Sequence, residues 1–256
     1  MAYPSCPKCG HAPLPADQSL PAACPACGLV LAKFAGAVLH GPRVADASEI
    51  EVDGGWLTDW LFRMPDRVAR VNWIARIATL AAFCLWTLWI WHDADVAGGM
   101  SGSRFLHLVL TPFHEAGHYA IFRWFGQFIM ILGGTLGQHL MPIVLGAALL
   151  VKRRDAFGAA LFFWLLGYSV IDMGVYMYDA YDPKLMLLNG KTGAESDGHD
   201  WINLFGDMGL LNQARGIGLF FGWTGKAMMV AGIAWAAWVL RLQRERLSDA
   251  LLAEME

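Results

Sequence analysis

The chain has 256 residues, of which 56% are hydrophobic, 16% are charged and twelve are Trp. Soluble domains carry about 25% charged residues, so this composition is typical of a protein embedded in a lipid bilayer. The formal net charge is only -3, and the sequence has no stripe of Lys and Arg that could neutralise phosphates. The composition therefore argues against nucleic acid as a partner.

The N-terminal segment contains two cysteine knuckles, CPKCG and CPACG, which carry Cys6, Cys9, Cys24 and Cys27. Four thiolates at this spacing can surround one Zn²⁺, and the Gly that follows each knuckle permits a tight turn. The alternative is a pair of disulfides in a secreted segment, but no apolar signal sequence precedes the knuckles.

Residues 1–33 resemble the zinc-ribbon modules, most of which bind or scaffold other molecules. The resemblance implies one structural zinc ion and a protein partner that binds through the ribbon. A cluster of reduced thiols also predicts that the ribbon lies on the cytosolic side of the membrane.

Residues 34–70 connect this ribbon to the hydrophobic part of the chain. Their first half contains Gly, Pro and Ala without a lasting hydrophobic period, which predicts a linker. The stretch WLTDWLFRMPDRVARVNWIARI then mixes aromatic residues with Arg. This mixture is typical of an interfacial segment at the depth of the lipid headgroups.

Five hydrophobic segments follow, at about 71–91, 104–125, 127–151, 156–178 and 217–240. Each is long enough for the ~20 residues that cross a hydrocarbon core. The sequence therefore predicts an all-α integral membrane helix bundle over residues 71–240, with a charged tail at 241–256. The third segment contains LGGTLGQ and Pro142, which favour either close helix contact through small residues or a break in the helix.

The basic residues do not agree with five alternating spans. Strict alternation places Lys152 to Arg154 and the tail at 241–246 opposite the Arg residues that precede the first span. This arrangement conflicts with the tendency of basic residues to stay inside. A re-entrant excursion around residues 133–137 would bring both groups back to one side.

The second hydrophobic segment carries the motif HEAGH, formed by His114, Glu115 and His118. On a helix, residues four apart share a face, so both imidazoles can bind one cation while Glu115 lies beside it. Zinc activates water, and an adjacent carboxylate can accept its proton. His107 and Thr111 extend the polar face of this helix. The alternative is two hydrogen-bonded histidines inside a helical bundle.

This motif resembles that of the site-2 protease-like intramembrane metallopeptidases, over roughly residues 104–200. In that family HExxH lies on a membrane helix, and an Asp from a helix two spans later completes the zinc site. The resemblance implies a catalytic zinc and a membrane protein or peptide as substrate. The family's Leu-Asp-Gly sequence is absent, and its nearest counterparts are VIDMG, with Asp172, and SDGHD, with Asp197, His199 and Asp200.

Asp172 and His199 are rivals for the third ligand. Asp172 and His118 lie six and seven residues from the predicted ends of their spans, so both are about 10 Å from the same membrane face. A buried carboxylate at that depth also favours a cation partner. His199 precedes a short amphipathic helix that Asp200 is expected to cap, and Asp197 or Asp200 could orient its imidazole.

The sequence thus predicts a zinc-dependent intramembrane metallopeptidase with Glu115 as general base. The alternative function is a non-catalytic membrane scaffold or metal-binding protein that uses the ribbon as its interaction module. An open fourth metal position facing Glu115 would distinguish the enzyme, because structural zinc sites are closed.

Overall fold

The computed structural model describes residues 3–6, 9–18, 22–31, 61–62 and 68–248. The chain divides into two compact units, Met1–Ile50 and Glu51–Glu256. Most of the predicted linker and interfacial segment at 34–70 lies outside the described residues.

The first unit contains two knuckles of the same backbone design. The N–H of Gly10 donates to the carbonyl of Cys6, and the N–H of Gly28 donates to that of Cys24, at 2.8 and 2.9 Å. Both glycines have positive φ, 75° and 71°, a backbone region in which a side chain would be strained. The two glycines therefore close the turns that bring the cysteines together.

The second unit is a helical bundle. Its helices within the described residues are α1 (Arg70–Asp93), α2 (Arg104–Ala116), α3 (Gln127–Ala148), α4 (Ala156–Asp179), α5 (Asp200–Met208) and α6 (Ala214–Arg244). π-Helical turns follow α2 (Gly117–Ile121) and α3 (Leu149–Arg153), and a 3-10 turn (Leu211–Gln213) precedes α6. The short strands β1 (Val68–Ala69) and β4 (Leu247–Ser248) pair in parallel, and β2 (Ala94–Asp95) pairs antiparallel with β3 (Met100–Ser101).

Four helical segments of the described chain are long and apolar enough to cross a membrane. They are Arg70–Asp93, Gln127–Arg153, Ala156–Asp179 and Leu211–Arg244, and they match four of the five predicted spans. The described chain is thus mostly helical, with four candidate membrane spans. The fourth segment includes Arg241 to Arg244, so the predicted tail begins as helix.

The predicted span at 104–125 is shorter than expected. It forms the 13 residues of α2 and the five of the π-helical turn. Near its start, the Tyr168 hydroxyl donates to the carbonyl of Ser103. Tyr168 lies twelve residues into α4, about 18 Å along that helix. α2 therefore begins level with the middle of α4 and beside the end of α1, where Ala94 pairs with Ser101.

The predicted break around Gly133 to Gly137 is not found, because α3 runs unbroken through these residues. They instead make the predicted close contact through small residues. A Cβ on Gly137 would lie 2.8 Å from the Cα of Gly117, in the turn after α2. The glycines therefore allow the backbones to approach without interrupting the helix.

Helices α4 and α6 form the centre of the bundle through a second set of glycines. A Cβ on Gly225 would lie 2.7 Å from Cγ1 and 2.8 Å from the backbone nitrogen of Ile171. Gly174 meets α6 in the same way, one to two turns further along, at Gly218 and Gly222. Small residues at these positions let the two backbones pack closely, which is how membrane helices associate.

The basic residues gather at one end of the bundle, here called the basic end. Arg76 of α1 makes a 3.1 Å ion pair with Asp155, just before α4. The indole of Trp73 donates to the carbonyl of Leu240, and β1 pairs with β4 after α6. Four spans, with α2 as a partial helix, thus place Arg70, Arg76, Lys152 to Arg154, Arg241 and Arg244 at the same end. The opposite end of α4, here called the acidic end, contains Asp179 and the loop residues Asp182, Glu195 and Asp197.

Candidate metal centres

Two groups of side chains in the described part of the chain lie close enough to hold a metal ion: Cys6, Cys9, Cys24 and Cys27, and His114, His118 and Asp200. The first is the predicted ribbon cluster. Its Sγ atoms lie 3.6 Å apart for Cys6 and Cys27 and 3.8 Å apart for Cys9 and Cys24. Tetrahedral zinc with Zn–S bonds of about 2.3 Å requires sulfurs about 3.8 Å apart, so the cluster fits that ion. None of the described cysteines forms a disulfide.

The cysteine thiols affect one another electrostatically. A backbone hydrogen bond at His11 lowers the pKa of Cys9, but the thiols of Cys27, Cys6 and Cys24 outweigh it and raise that pKa to about 12. A zinc ion bound here must therefore displace protons from the thiols.

The second group is built around the HEAGH motif. His114 is in the last turn of α2, and His118 lies in the π-helical turn that follows. The N–H of Phe122 donates to the carbonyl of Gly117, five residues back, at 3.0 Å. π-Helical turns inside helices are frequent at functional sites. The two imidazoles meet with their Nε2 atoms 3.0 Å apart.

Asp200 completes a triad with the two histidines. Its Oδ2 lies 2.9 Å from Nε2 of His114 and 3.2 Å from Nε2 of His118. Tetrahedral zinc with bonds of about 2.0 Å has ligand atoms about 3.3 Å apart, close to these distances. All three side chains are largely buried, with 11 to 15% of each exposed.

The hydrogen bonds of the other ring nitrogens decide what the Nε2 atoms can do. Nδ1 of His118 lies 2.8 Å from the carbonyl of Met130, which can only accept, so this nitrogen carries the proton. Nδ1 of His114 lies 3.3 Å from Oε1 of Gln138. With both protons on Nδ1, two Nε2 lone pairs and a carboxylate face one another. Three electron-rich atoms at this spacing repel unless a proton or a metal cation lies between them, and two imidazoles with a carboxylate are a donor set that fits zinc.

Gly134 of α3 leaves the space in which these atoms meet. A Cβ at this position would collide with Nε2 of His118 and Nε2 of His114. Any residue other than glycine would thus occupy the centre of the triad.

Asp200 is held in place by its neighbour His199. His199 caps α5, because its Nδ1 accepts from the N–H of Ile202 at 3.2 Å. Its Nε2 donates to Oδ2 of Asp179 at 3.2 Å, and only 1% of the side chain is exposed. The expectation that Asp200 caps this helix is therefore wrong. Asp200 is the first residue of α5, which frees its carboxylate to reach the histidines.

Asp172 lies near the triad but is not part of it. Both of its carboxylate oxygens are 3.0 Å from Nδ1 of His107. Oδ2 also accepts from Nε2 of Gln138 at 3.1 Å. The structure therefore brings together His114, His118 and Asp200, whereas Asp172 and His199, the two predicted rivals, bind other side chains.

A cavity of about 1300 Å³ opens beside the triad. Glu115 lines it, and no hydrogen bond joins its carboxylate to another residue in the described ranges. His107 and Thr111 also line the cavity, as expected for the polar face of α2. The cavity extends to β3 and to residues 185–189, which belong to the loop between α4 and α5.

Sequence analysis missed three parts of this site. In SDGHD, the sequence predicts Asp200 to be a helix cap or an orienting partner of His199, whereas the structure directs it at the two histidines. Nothing in the sequence marks Gln138 or Met130 as part of the site. A side-chain amide or a backbone carbonyl becomes a histidine partner only when the fold places it beside an imidazole. For Gly134, the sequence LGGTLGQ predicts only close helix packing. Compared with known proteins, the chain matches no family model, no curated protein and no solved structure.

Proposed function

We propose that the chain is a membrane-embedded zinc metallopeptidase, with His114, His118 and Asp200 as zinc ligands and Glu115 as general base. One observation carries the proposal. The Nε2 atoms of two histidines and a carboxylate oxygen converge within 3.2 Å, beside the carboxylate of Glu115 and an open cavity. Catalytic zinc sites use three protein ligands and keep a fourth position open.

The zinc would supply Lewis acidity, which polarises a carbonyl and makes a nearby water acidic enough to react at neutral pH. The chain supplies the rest of the chemistry. Glu115 is placed to accept a proton from the attacking water and to return it to the leaving amine. The buried triad and the surrounding cavity keep the reacting groups together, which contributes through proximity and orientation.

The resemblance to site-2 protease-like enzymes supports peptide hydrolysis. In that family the third ligand is an Asp that follows HExxH by two spans. Here α3 and α4 separate HEAGH from Asp200, although Asp200 begins the next helix and lies outside any Leu-Asp-Gly sequence. We therefore propose a membrane protein or membrane-bound peptide as the substrate class.

The position of the triad indicates which part of such a substrate is cleaved. His118 contacts Met130, in the first turn of α3, and 23 residues separate Met130 from Arg153 at the basic end. This separation is about 35 Å along the helix. The site is therefore close to the acidic end, where a segment adjacent to the membrane can enter. The tendency of basic residues to stay inside predicts that the basic end faces the cytosol. A cluster of reduced thiols independently predicts a cytosolic ribbon.

The test uses the purified full-length protein in lipid vesicles with membrane-bound peptides. Glu115→Gln should abolish hydrolysis and leave the zinc content unchanged, because the carboxylate transfers protons and does not bind the metal. Glu195→Gln, the same change in an exposed loop, is the matched control and should keep full activity. His114→Ala should lower the zinc content from two ions per chain to one, the remaining ion being that of the ribbon.

Two results would contradict this assignment. Undiminished turnover by Glu115→Gln would remove Glu115 from the mechanism. A chain that holds two zinc ions but hydrolyses none of the peptides would favour the alternative, a metal-binding membrane scaffold.

A further inference from the structure

Behind the triad, a chain of hydrogen bonds runs from His107 through Asp172 and Gln138 to His114. It begins where Nδ1 of His107 donates to Asp172 and ends where Nδ1 of His114 donates to Gln138. We propose that Asp172 is a positioning residue which, through Gln138, holds His114 in the tautomer that binds metal. This inference rests on the proposed metal site and assigns new roles to Asp172 and Gln138.

The direction of each bond follows from what its partners can do. Nε2 of Gln138 lies 3.1 Å from Oδ2 of Asp172 and 3.4 Å from the carbonyl of Ser169. A carboxylate and a carbonyl only accept hydrogen bonds, so the amide nitrogen must face them. The amide oxygen of Gln138 is then fixed toward His114.

This orientation determines the state of His114. An oxygen opposite Nδ1 requires the proton on Nδ1, which leaves Nε2 with its lone pair directed at His118 and Asp200. A Gln138 amide turned the other way would present N–H groups to Nδ1 and would favour the proton on Nε2, where it blocks a metal. The partner of the remote nitrogen is what commonly selects the tautomer of a metal-binding histidine.

Burial makes the arrangement selective. Gln138 is only 6% exposed, and the carboxylate of Asp172 is 10% exposed, so water competes poorly for these bonds. An unpaired buried amide costs free energy, and the lowest-energy orientation is the one that pairs both ends. His107 is half exposed, with 52% of its side chain open to the cavity, and it holds the far side of the carboxylate.

The experiment measures zinc affinity of the full-length protein by competition with chelators of graded strength, with His114→Ala giving the ribbon's contribution. Asp172→Leu and Gln138→Leu should each weaken bundle zinc about 10- to 100-fold, the usual effect of losing a partner of a ligating histidine. Asp172→Asn should bind nearly as tightly as the unaltered chain. Its side-chain oxygen can still accept from Gln138, so a neutral replacement rescues a positioning role but would not rescue a charged ligand.

A charge swap supplies a second test that does not depend on the Leu variants folding. Gln138→Glu places two carboxylates against each other and should weaken zinc binding. In the double variant Gln138→Glu with Asp172→Asn, the new amide at position 172 can donate to the new carboxylate at position 138. This pairing should recover the zinc affinity. A merely structural role would not produce recovery in the double variant.

Three results would overturn the inference. If Asp172→Asn empties the bundle site as His114→Ala does, Asp172 is itself a ligand. If both Leu variants fold and bind zinc like the unaltered chain, the hydrogen bonds do not position His114. If Gln138→Glu loses zinc affinity and the added Asp172→Asn does not restore it, the direction of the hydrogen bond between residues 138 and 172 does not determine zinc affinity. Failure of the proposed function is separate: Glu115→Gln would then keep full turnover, or a chain with two zinc ions would hydrolyse no peptide, and neither result changes the zinc affinities measured here.

Discussion

At the scale of the single residue, the triad depends on the absence of a side chain as much as on its ligands. Gly134 lies directly opposite the point where Nε2 of His114 and Nε2 of His118 meet, and a Cβ there would collide with both atoms. The HEAGH motif can therefore bind metal only because α3 presents a bare backbone to it.

Gly134→Ala is expected to abolish zinc binding in the bundle, because the added methyl group fills the space between the imidazoles. Gly206→Ala on α5 is the control, since a Cβ there meets no atom within 4 Å. Zinc content per chain, measured after gel filtration, should fall from two to one in the first variant and remain at two in the second. Two ions in Gly134→Ala would show that the triad is not the metal site.

At the scale of the element, two hydrogen bonds of the His199 ring hold the start of α5 in place. One caps the helix at Ile202, and the other binds Asp179 at the end of α4. Asp179 in turn accepts from the N–H groups of Lys184 and Leu185 at 2.8 and 3.1 Å. This small network fixes the start of α5 and thereby directs Asp200 at the histidines.

His199→Ala should lower the stability by about 2 kcal/mol, through a lost cap and a buried carboxylate with one partner fewer. It should also weaken the bundle zinc, because Asp200 follows directly. His199→Asn should restore part of the stability, since Asn is a good helix cap. Thermal unfolding in detergent and zinc titration measure the two effects. If His199→Ala empties the site while Asp200→Asn leaves it filled, His199 is the third ligand.

At the scale of the whole molecule, four spans and a partial α2 solve the charge conflict of the five-span prediction. The basic residues of α1, of the turn after α3 and of the end of α6 lie together at the basic end. The triad, the cavity and the loop at 180–199 lie toward the acidic end. A bundle with this distribution should insert with its basic end in the cytosol.

Single added cysteines test this orientation in intact cells. A membrane-impermeant maleimide should label Asn189→Cys, in the loop at the acidic end, without lysis. It should label Glu245→Cys, at the basic end, only after lysis. Both positions are exposed, and the unaltered chain controls for labelling of the native cysteines. The reverse pattern would place the triad on the cytosolic face.

The sequence by itself determined the features that depend on near neighbours in the chain. Helix limits followed from hydrophobic length, because a bilayer requires about 20 apolar residues per span. The cysteine cluster followed from knuckles whose turns close within a few residues. The pair His114 and His118 followed from the helical repeat, which places residues four apart on one face.

Only the tertiary structure decided the third member of the triad and the number of spans. Asp200 is 86 residues from His114, and Gln138 is 24 residues away, so their contacts depend on how α2, α3 and α5 pack. Asp172 lines the cavity beside the triad. A depth argument cannot show that His107 and Gln138 already occupy its carboxylate. α2 and its π-helical turn carry Arg104, Glu115 and three histidines and are not among the helices apolar enough to cross a membrane. The start of α2 beside Tyr168 is set by helix packing, which a linear hydrophobic pattern cannot predict.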